Sequence, residues 1–384
     1  MKKILITTGI YPPDIGGSAT YAKTLAEELP KRGFEVRIIT CGKKKEVVEN
    51  GQTKIITIDR EQNVLFRYID YYAEVMRNLG WADMVYAQGP VSEGFATYLA
   101  CKTLRKKYYL KVVSDVAWEQ YSSGNNKEIS IEEFQNKKLN LKIELRRWME
   151  HKVARGAKII ITPSNYLKGL IKQWGVTEDK IQVIYNAVEI LEIKEGKSTL
   201  KSELGLNGNV ILSAGRLVTW KGFGLLIEIM PELLKGNANY KLIIVGDGPE
   251  KNNLKEQIEK LGLEKVVFLV DKMDKKDLWK LMKASDMFVL NSTYEGLSHV
   301  LIEAMLVGVP IIASSNGGNV ELIENNYSGI LINYNDRDKL ILNIVKLWHN
   351  RMLANDLIIN AQKKAQQSFN QAVMLDNLIK IINL

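Results

Sequence analysis

The chain has 384 residues, 46% of them hydrophobic and 25% charged, which is typical of a globular protein long enough for two domains. No stretch approaches the roughly 18 apolar residues of a membrane-spanning helix. Two cysteines are too few for a disulfide framework, three histidines leave little for a histidine-built metal site, and the N-terminus resembles a strand rather than a signal peptide. We therefore expect a cytoplasmic protein.

The positive charge is concentrated in the first half of the chain. The formal net charge is +9, and residues 1–190 hold 30 Lys and Arg against 22 Asp and Glu, whereas the remainder holds 23 against 22. Such charge usually serves solubility, although a basic half also suits anionic lipid, nucleic acid or an anionic acceptor. The excess is diffuse and lacks a recognition motif with interleaved aromatic residues, so nucleic-acid binding is a remote alternative.

The N-terminal segment predicts a buried strand, a glycine-containing loop and a helix. The strand spans Ile4–Thr8, the loop ends in Gly16 and Gly17, and Ser18 is positioned to cap the helix. In open parallel sheets, ligands collect where the carboxyl end of a strand meets a helix N-terminus. The glycine pair is therefore a candidate for close backbone contact with a ligand, with a plain turn as the alternative.

Further apolar runs in the first half predict more strands of the same sheet. They are Glu35–Thr40, Lys54–Ile58, Met84–Ala87, Tyr109–Ser114, Ile159–Thr162 and Ile181–Tyr185. The fourth of these runs ends in KVVSDVAWEQ, where Asp115 and Glu119 are the available acids at the strand end. Asp115 is the better candidate for a site residue, and capping of a turn is the alternative.

A lysine- and arginine-rich helix is predicted near the end of the first half. Its apolar stripe consists of Leu141, Leu145, Trp148, Met149 and Val153. Basic residues, among them Arg146 and Arg147, lie beside that stripe. Such a helix usually packs against its own domain with solvated flanks, but a basic amphipathic face also fits an anionic membrane surface.

The second half begins after a polar linker candidate, Glu192–Ser202, and again alternates strands with glycine loops. Its strand candidates are Val210–Ala214, Lys241–Val245, Val266–Leu269, Met287–Leu290 and Val309–Ala313. After the first of them, Arg216 and Lys221 stand five residues apart beside two glycines. Arg binds two oxygens at once and Lys supplies a point charge, so the pair suits a diphosphate. A D-x-D pair is absent there, and no metal site is predicted.

The stretch Asn291–Pro310 predicts a loop and then a helix from about Ser298 to Leu306. Glu295 lies in the loop and Glu303 two turns inside the helix. The amides between them, those of Gly296, Leu297 and Ser298, belong to a helix N-terminus, which favours phosphate. Either glutamate alone would be interpreted as a solvated residue. Together with the amides, the two glutamates suit a ligand that has an anionic group at its centre and a polyol at each end.

These motifs together resemble the retaining glycosyltransferases of family GT4, which have the GT-B fold. The resemblance is carried by the E-x7-E string with its flanking S-x-x-E-G and E-A-M-x-x-G-x-P, by G-R-L-x-x-x-K-G, and by P-P-x-x-G-G near the N-terminus. It implies an α/β protein of two doubly wound Rossmann-like domains facing across a cleft, with a C-terminal helix crossing back to the first. We expect the first domain at residues 1–190 plus 365–384 and the second at 191–364.

The resemblance also implies a function. It implies transfer of a sugar from a nucleoside-diphosphate sugar to a glycan or lipid-linked glycan, with retention, without a metal and without a cofactor. The implied donor-binding residues are Gly16, Gly17, Arg216, Lys221, Gly296, Leu297, Ser298 and Glu303. Glu303 would hold the ribose hydroxyls and Glu295 would contact the sugar. Members often have His before Asp at the KVVSDVAWEQ position, where this chain has Ser114, so Asp115 is our choice for the catalytic residue beside Glu295.

The sequence leaves one alternative function and one question of location open. The first alternative is a GT-B-fold nucleotide-sugar epimerase, which needs active-site acids and histidines and is disfavoured by the few histidines. The second question is location, since the basic helix also fits a cytoplasmic protein held peripherally at the inner membrane face.

Overall fold

The protein is described by a computed structural model that covers residues 1–14, 16–123, 129–236 and 239–383. The chain divides into two compact units. The first unit contains the chain up to Tyr121, then Glu132–Ile184, and the end of the chain from Leu378. The second contains Tyr185–Asn377 together with the short segment from Ser122 to Ile131. The C-terminal helix thus begins in the second unit and ends in the first, and Leu384 lies outside the described residues.

Within the described residues, eight strands form the sheet of the first unit. They are β1 (Lys2–Thr8), β2 (Phe34–Gly42), β3 (Glu46–Asn50), β4 (Thr53–Asp59), β5 (Met84–Gln88), β6 (Tyr109–Lys111), β7 (Ile159–Thr162) and β8 (Ile181–Val183). Their order is β3-β4-β2-β1-β5-β6-β7-β8, and every neighbouring pair is parallel except β3 with β4. The central strands are buried on both faces, which explains their continuous apolar runs.

Helices cover both faces of this sheet. They are α1 (Gly17–Glu28), α2 (Val64–Leu79), α3 (Ser92–Thr103), α4 (Val116–Ser122), α5 (Ile131–Asn136), α6 (Leu141–Gly156) and α7 (Asn165–Gln173). Helix α1 begins one residue after Gly16 and has no side-chain cap, so the prediction that Ser18 caps it is wrong.

The second unit is built on a sheet of six parallel strands within the described residues. They are β9 (Asn209–Ala214), β10 (Tyr240–Val245), β11 (Val267–Val270), β12 (Met287–Leu290), β13 (Ile311–Ser314) and β14 (Ile330–Ile332). Their order is β11-β10-β9-β12-β13-β14. Because strand order reverses around β9, the loops after β9 and β12 lie at the switch point where ligands bind in such sheets.

Helices again flank the second sheet on both sides. They are α8 (Lys197–Glu203), α9 (Phe223–Glu228), α10 (Met230–Gly236), α11 (Lys251–Lys260), α12 (Lys275–Ala284), α13 (His299–Val307), α14 (Asn319–Leu322), α15 (Arg337–His349), α16 (Arg351–Ser368) and α17 (Gln371–Ile382). Two apolar clusters, one on each face of the sheet, form the core. The alternation of parallel strands and helices confirms the doubly wound α/β class for both units.

The predicted linker is partly helical. Glu192–Ser202 contains most of α8, and Leu200 on that helix is fully buried. Leu191 and Ile193 pack against the core of the second unit. The segment is therefore part of the second unit rather than a free connection, because its few apolar residues occur at the positions that face the core.

Helix α6 presents a different face to the core from the one predicted. Its buried residues are Ile143, Glu150, Val153 and Ala154. Val153 is in the core as expected, but Leu145 is 54% exposed and Trp148 is 49% exposed. The apolar stripe therefore lies largely outside the core of the first unit, at the surface beside α2 and α3.

None of the helices in the described part of the chain combines the length and apolar character that crossing a bilayer requires.

Candidate functional site

Most of the residues predicted to bind the donor in the second unit lie in two loops at the carboxyl edge of its sheet, and Glu303 lies in the helix that follows the second loop. Arg216 and Lys221 follow β9, and Glu295 follows β12. A backbone hydrogen bond of 2.8 Å from Thr293 N to Trp220 O joins the two loops. Positions far apart in sequence are therefore brought together at this edge of the sheet.

Lys221 and Glu295 form an ion pair. The ammonium nitrogen of Lys221 donates a hydrogen bond to Oε1 of Glu295 at 2.5 Å, and both side chains are largely buried, with 15% and 9% exposure. Arg216, by contrast, is exposed, and no carboxylate lies within 4.0 Å of it among the residues that the structure describes. One of the two predicted cations is thus already neutralised, whereas the other is available to an anion.

Glycines allow neighbouring loops to pack tightly on the Glu295 loop. Gly222 has φ +61°, and a Cβ there would lie 2.1 Å from the carbonyl oxygen of Asn291. Gly317 also has φ +61°, and a Cβ there would lie 2.3 Å from the carbonyl oxygen of Glu295. A side chain at either position would displace the loop that carries Glu295.

A buried serine that is not among the predicted site residues holds the start of the same loop. Ser314, at the end of β13, accepts a hydrogen bond from Ser292 N at 3.0 Å and donates one to Ser292 O at 2.5 Å. Asn319 donates to Ser314 O at 3.1 Å, and Gly318 N donates to Glu295 O at 2.7 Å. These bonds hold the backbone around Glu295 from both sides. Only the position of Ser314 at a strand end could have suggested this role.

Helix α13 begins almost where the sequence predicted. Ser298 is its N-cap and accepts a hydrogen bond from Leu301 N at 3.4 Å, and Gly308 ends it with φ +83°. Gly296, Leu297 and Ser298 are buried and lie in the loop before the first helical turn. Their amides are therefore close to the positive end of the helix, although they do not belong to it.

Glu303 occupies the middle of α13 and is largely enclosed. Burial raises the pKa of its carboxyl to about 7, while the charge of Lys275 opposes that rise. The indole N–H of Trp279 also lowers this pKa slightly, although it makes no hydrogen bond of normal geometry. Lys275 lies 5.3 Å from the Trp279 ring and donates to Glu189 O at 2.6 Å. Lys275 and Trp279 are not among the predicted site residues, and their spacing of four residues on α12 is the only sequence signal for them.

In the first unit, the glycine pair lies at the N-terminus of α1, as predicted. Gly16 precedes the helix in an extended conformation and accepts a hydrogen bond from Thr20 N at 3.0 Å. Gly17 is exposed as the first helical residue. The position suits the approach of an anion to the backbone, and the role of the pair in donor binding stays a prediction.

Asp115 is buried and caps helix α4. Its Oδ1 accepts from Trp118 N at 2.8 Å and its Oδ2 accepts from Gln135 Nε2 at 2.8 Å. Glu150 of α6 accepts from Val116 N at 2.9 Å at the start of the same helix. Burial raises the pKa of both carboxyls, and the charge of Asp115 raises that of Glu150 further. This geometry agrees with the alternative that Asp115 is a capping residue. A catalytic role for Asp115 stays a prediction.

A polar pocket of about 190 Å³ opens at the carboxyl edge of the first sheet. Glu93, Arg60 and Arg67 line it together with Gly9 and Tyr68. Burial raises the pKa of Glu93 to about 7, with a smaller opposing contribution from backbone hydrogen bonds at Glu93 and Gly9. Sequence analysis did not single out this pocket, because its members come from four separate segments.

The part of the chain that the structure describes contains no cluster of three or more His, Cys, Asp or Glu side chains placed to hold a metal ion.

Comparisons with known proteins match both units. The family model described as "Glycosyltransferase Family 4" matches residues 15–190, and the one described as "Glycosyl transferases group 1" matches residues 197–364. An uncharacterized glycosyltransferase of Methanocaldococcus jannaschii is 26% identical, with 98% of this chain and 96% of that protein covered.

Two further relatives carry names that specify ligands. The UDP-Gal:alpha-D-GlcNAc-diphosphoundecaprenol alpha-1,3-galactosyltransferase of Escherichia coli is 32% identical over 60% of this chain and 62% of its own length. The crystal structure of Anabaena HepE in complex with UDP-glucose superposes with a TM-score of 0.80 at 22% identity and covers all of both chains. The second similarity establishes the shared fold.

Proposed function

Because the chain belongs to the group 1 glycosyltransferases of family GT4, we propose that it transfers a sugar from a nucleoside-diphosphate sugar to a glycan or lipid-linked glycan acceptor. The proposed reaction retains the anomeric configuration and needs no metal ion. The observation that carries this proposal is the pairing of Lys221 with Glu295 beside the exposed Arg216. The names of two similar proteins, one using UDP-Gal and one crystallised with UDP-glucose, support a nucleotide sugar as the donor.

Each part of the donor has a proposed set of partners in the second unit. The ribose hydroxyls donate to Glu303, whose enclosure beside Lys275 and Trp279 leaves it suited to a neutral polyol. The diphosphate contacts Arg216, Lys221 and the amides of 296–298. Glu295 contacts the sugar while remaining paired with Lys221, so that one ion pair links the sugar to the phosphate.

Departure of the diphosphate creates negative charge, and preorganised cations and amides stabilise it without a metal. Arg216 and Lys221 take that role in the proposed reaction. The leaving phosphate accepts the proton of the acceptor hydroxyl on the same face of the sugar. The new glycosidic bond therefore forms on the face from which the nucleoside diphosphate departs, and no further general base is needed.

The proposed role of Asp115 in contacting the sugar has to be separated from its capping of α4. Asp115→Asn keeps an acceptor oxygen for Trp118 N but loses the hydrogen bond from Gln135 Nε2, so the cap should be preserved and the thermal unfolding midpoint should fall only modestly. If Asp115 contacts the sugar, transfer falls while the fold is intact. A variant with full activity would remove Asp115 from the site.

A donor screen tests the proposal directly. Each common nucleotide sugar is incubated with the protein, and release of free nucleoside diphosphate is measured with and without candidate glycan acceptors. We expect release from one donor, and the product should have the same anomeric configuration as that donor by NMR. Interconversion of the sugar without release of nucleoside diphosphate would support the epimerase alternative and overturn the proposal.

A further inference from the structure

An apolar groove of about 600 Å³ lies on the surface of the first unit between α2, α3 and α6. Ile69 of α2, Leu99 of α3 and Leu145 of α6 line it, and these side chains are 52%, 39% and 54% exposed. Soluble proteins seldom leave apolar side chains from three neighbouring helices uncovered together. The groove therefore has the character of a binding surface.

The groove adjoins the pocket at the edge of the sheet, since the two share a lining residue. Tyr68 of α2 lines both cavities. On the groove side the lining is mainly apolar, with Phe95 and Met149 among its members. On the pocket side, the lining includes Arg67 and Glu93. An elongated ligand passing Tyr68 would therefore have one apolar end and one polar end.

The charges along this path favour an anionic ligand. Lys142 and Arg146 line the groove, and Arg67 lines the pocket. In the described residues, none of the three has a carboxylate within 4.0 Å, whereas Arg60 in the same pocket is paired with Asp14. Glu93 is the remaining acid of the pocket, and burial raises its pKa to about 7, so its negative charge is partly suppressed near neutral pH.

We propose that this groove holds the hydrocarbon chain of a lipid acceptor, whose anionic phosphate lies beside Arg67 and whose polar end enters the pocket at Glu93. The inference rests on the proposed function, because it assigns the acceptor of that reaction to the lipid-linked class. The hydrocarbon covers Ile69, Leu99 and Leu145, and Lys142 and Arg146 attract the phosphate-bearing end during entry.

Binding of simple amphiphiles tests each half of the proposed ligand. The probes are dodecyl phosphate below its micellar concentration, butyl phosphate, which has the charge without the long chain, and dodecyl maltoside, which has the chain without the charge. Affinities are measured by isothermal titration calorimetry on the full chain. We expect dodecyl phosphate to bind at least about tenfold more tightly than either of the other probes.

Substitutions in the groove and the pocket should separate the two contributions. Leu145→Gln and Ile69→Gln change exposed side chains and leave the core intact, and each should weaken dodecyl phosphate binding by roughly fivefold without changing butyl phosphate binding. Arg67→Gln should weaken the binding of both phosphates. The matched controls are Ile359→Gln, an exposed residue of α16, and Arg77→Gln on α2, and both should bind like the wild type.

Trp148 provides a local optical signal. It is half exposed, and its ring centroid lies 5.9 Å from that of Phe95, which lines the groove. Dodecyl phosphate should shift tryptophan emission to shorter wavelength in the wild type, and Trp148→Phe should remove most of that shift. A shift that persists in Trp148→Phe would place the amphiphile elsewhere and overturn the proposal.

Two further results, from the affinity measurements, would also overturn the assignment of the groove. One is equal affinity of the wild type, Leu145→Gln and Ile69→Gln for dodecyl phosphate, and the other is equal affinity of the wild type for dodecyl phosphate and dodecyl maltoside. Release of nucleoside diphosphate by the wild type, measured in parallel, separates this inference from the proposed function. Donor turnover without dodecyl phosphate binding refutes only the lipid acceptor, and amphiphile binding without turnover of any donor refutes the glycosyltransferase proposal.

Discussion

Replacing Glu303 by Gln should remove a pH dependence from donor binding. Burial raises the pKa of Glu303 to about 7 in the ligand-free protein. If the carboxylate accepts hydrogen bonds from the ribose hydroxyls, donor binding favours its ionised form and lowers that pKa. Donor affinity in the wild type should then increase as the pH rises through 7. Gln cannot ionise, so the variant should bind weakly and with little dependence on pH.

The magnitude follows from the fraction of Glu303 that is ionised before binding. With a pKa of about 7, roughly one molecule in eleven carries the carboxylate at pH 6, against roughly ten in eleven at pH 8. If only that form binds, the dissociation constant should fall about tenfold between these two pH values. The charge of Lys275 acts on Glu303, and burial lowers the pKa of Lys275 from its ordinary value, so its titration belongs in the same comparison.

The assay is calorimetric titration with the nucleotide sugar identified by the donor screen. A diphosphate esterified at both ends does not titrate between pH 6 and 8, so the ligand itself adds no slope. Lys275→Gln, tested in the same way, shows whether the lysine contributes to the slope. Equal pH dependence in the wild type and Glu303→Gln, or a wild-type affinity that falls as the pH rises, would refute the reasoning.

The carboxyl of Glu303 should also lower the stability of the folded protein as the pH rises, which is the opposite of its effect on donor affinity. Its pKa is higher in the folded than in the unfolded state, so the stabilisation it gives is complete below the unfolded value and is lost as the pH rises through about 7. Glu303→Gln should therefore gain stability relative to the wild type between pH 5 and pH 8. The gain is on the order of 2–3 kcal/mol at most, and chemical denaturation without ligand measures it.

Three further predictions concern the donor loops. Lys221→Ala should lower kcat/KM by an amount equivalent to about 2–4 kcal/mol of lost transition-state stabilisation while the protein stays folded. Near-normal turnover with an unchanged donor KM would contradict the proposed contact. Activity should persist in EDTA, and a complete loss that Mg²⁺ or Mn²⁺ restores would disprove the metal-independent mechanism. Gly222→Ala should lower the thermal midpoint and the activity together because its Cβ meets Asn291, whereas Gly224→Ala, whose Cβ meets only a side chain, should cost much less in a thermal melt.

Five of the six described strands of the second sheet were predicted from the sequence, because each contains a run of at least three apolar residues. Strand β14 was not predicted, since it has only three residues. The predicted strand Met287–Leu290 coincides with β12, and the predicted strand Val309–Ala313 starts two residues and ends one residue before β13. Strand β3, with sequence EVVEN, was missed because all five of its residues are exposed at the sheet edge. Its pairing with β4 supplies the backbone hydrogen bonds, and an apolar pattern is not required there.

The orientation of α6 was not predictable from its own sequence. Leu145 and Trp148 are the more apolar choice for a core face, yet the helix buries Glu150 instead. That carboxyl accepts hydrogen bonds from the first amides of α4, which compensates for its burial. The two amides lie 34 and 33 residues before Glu150 in the chain, so the sequence of α6 alone does not show the contact that favours this inward face.

The ion pair between Lys221 and Glu295 couples the two roles that the sequence predicted separately for these residues. The sequence assigned the lysine to phosphate and the glutamate to sugar, whereas the structure joins them at 2.5 Å in a largely buried position. Removing either partner leaves the other as an uncompensated charge, which costs more than the lost contact itself. The effect of Lys221→Ala therefore includes a change in Glu295, and a double-mutant cycle with Glu295→Gln is needed to separate the two. Before the donor arrives, the pair contributes little net charge, so Arg216 and the amides of 296–298 supply the initial attraction for the diphosphate.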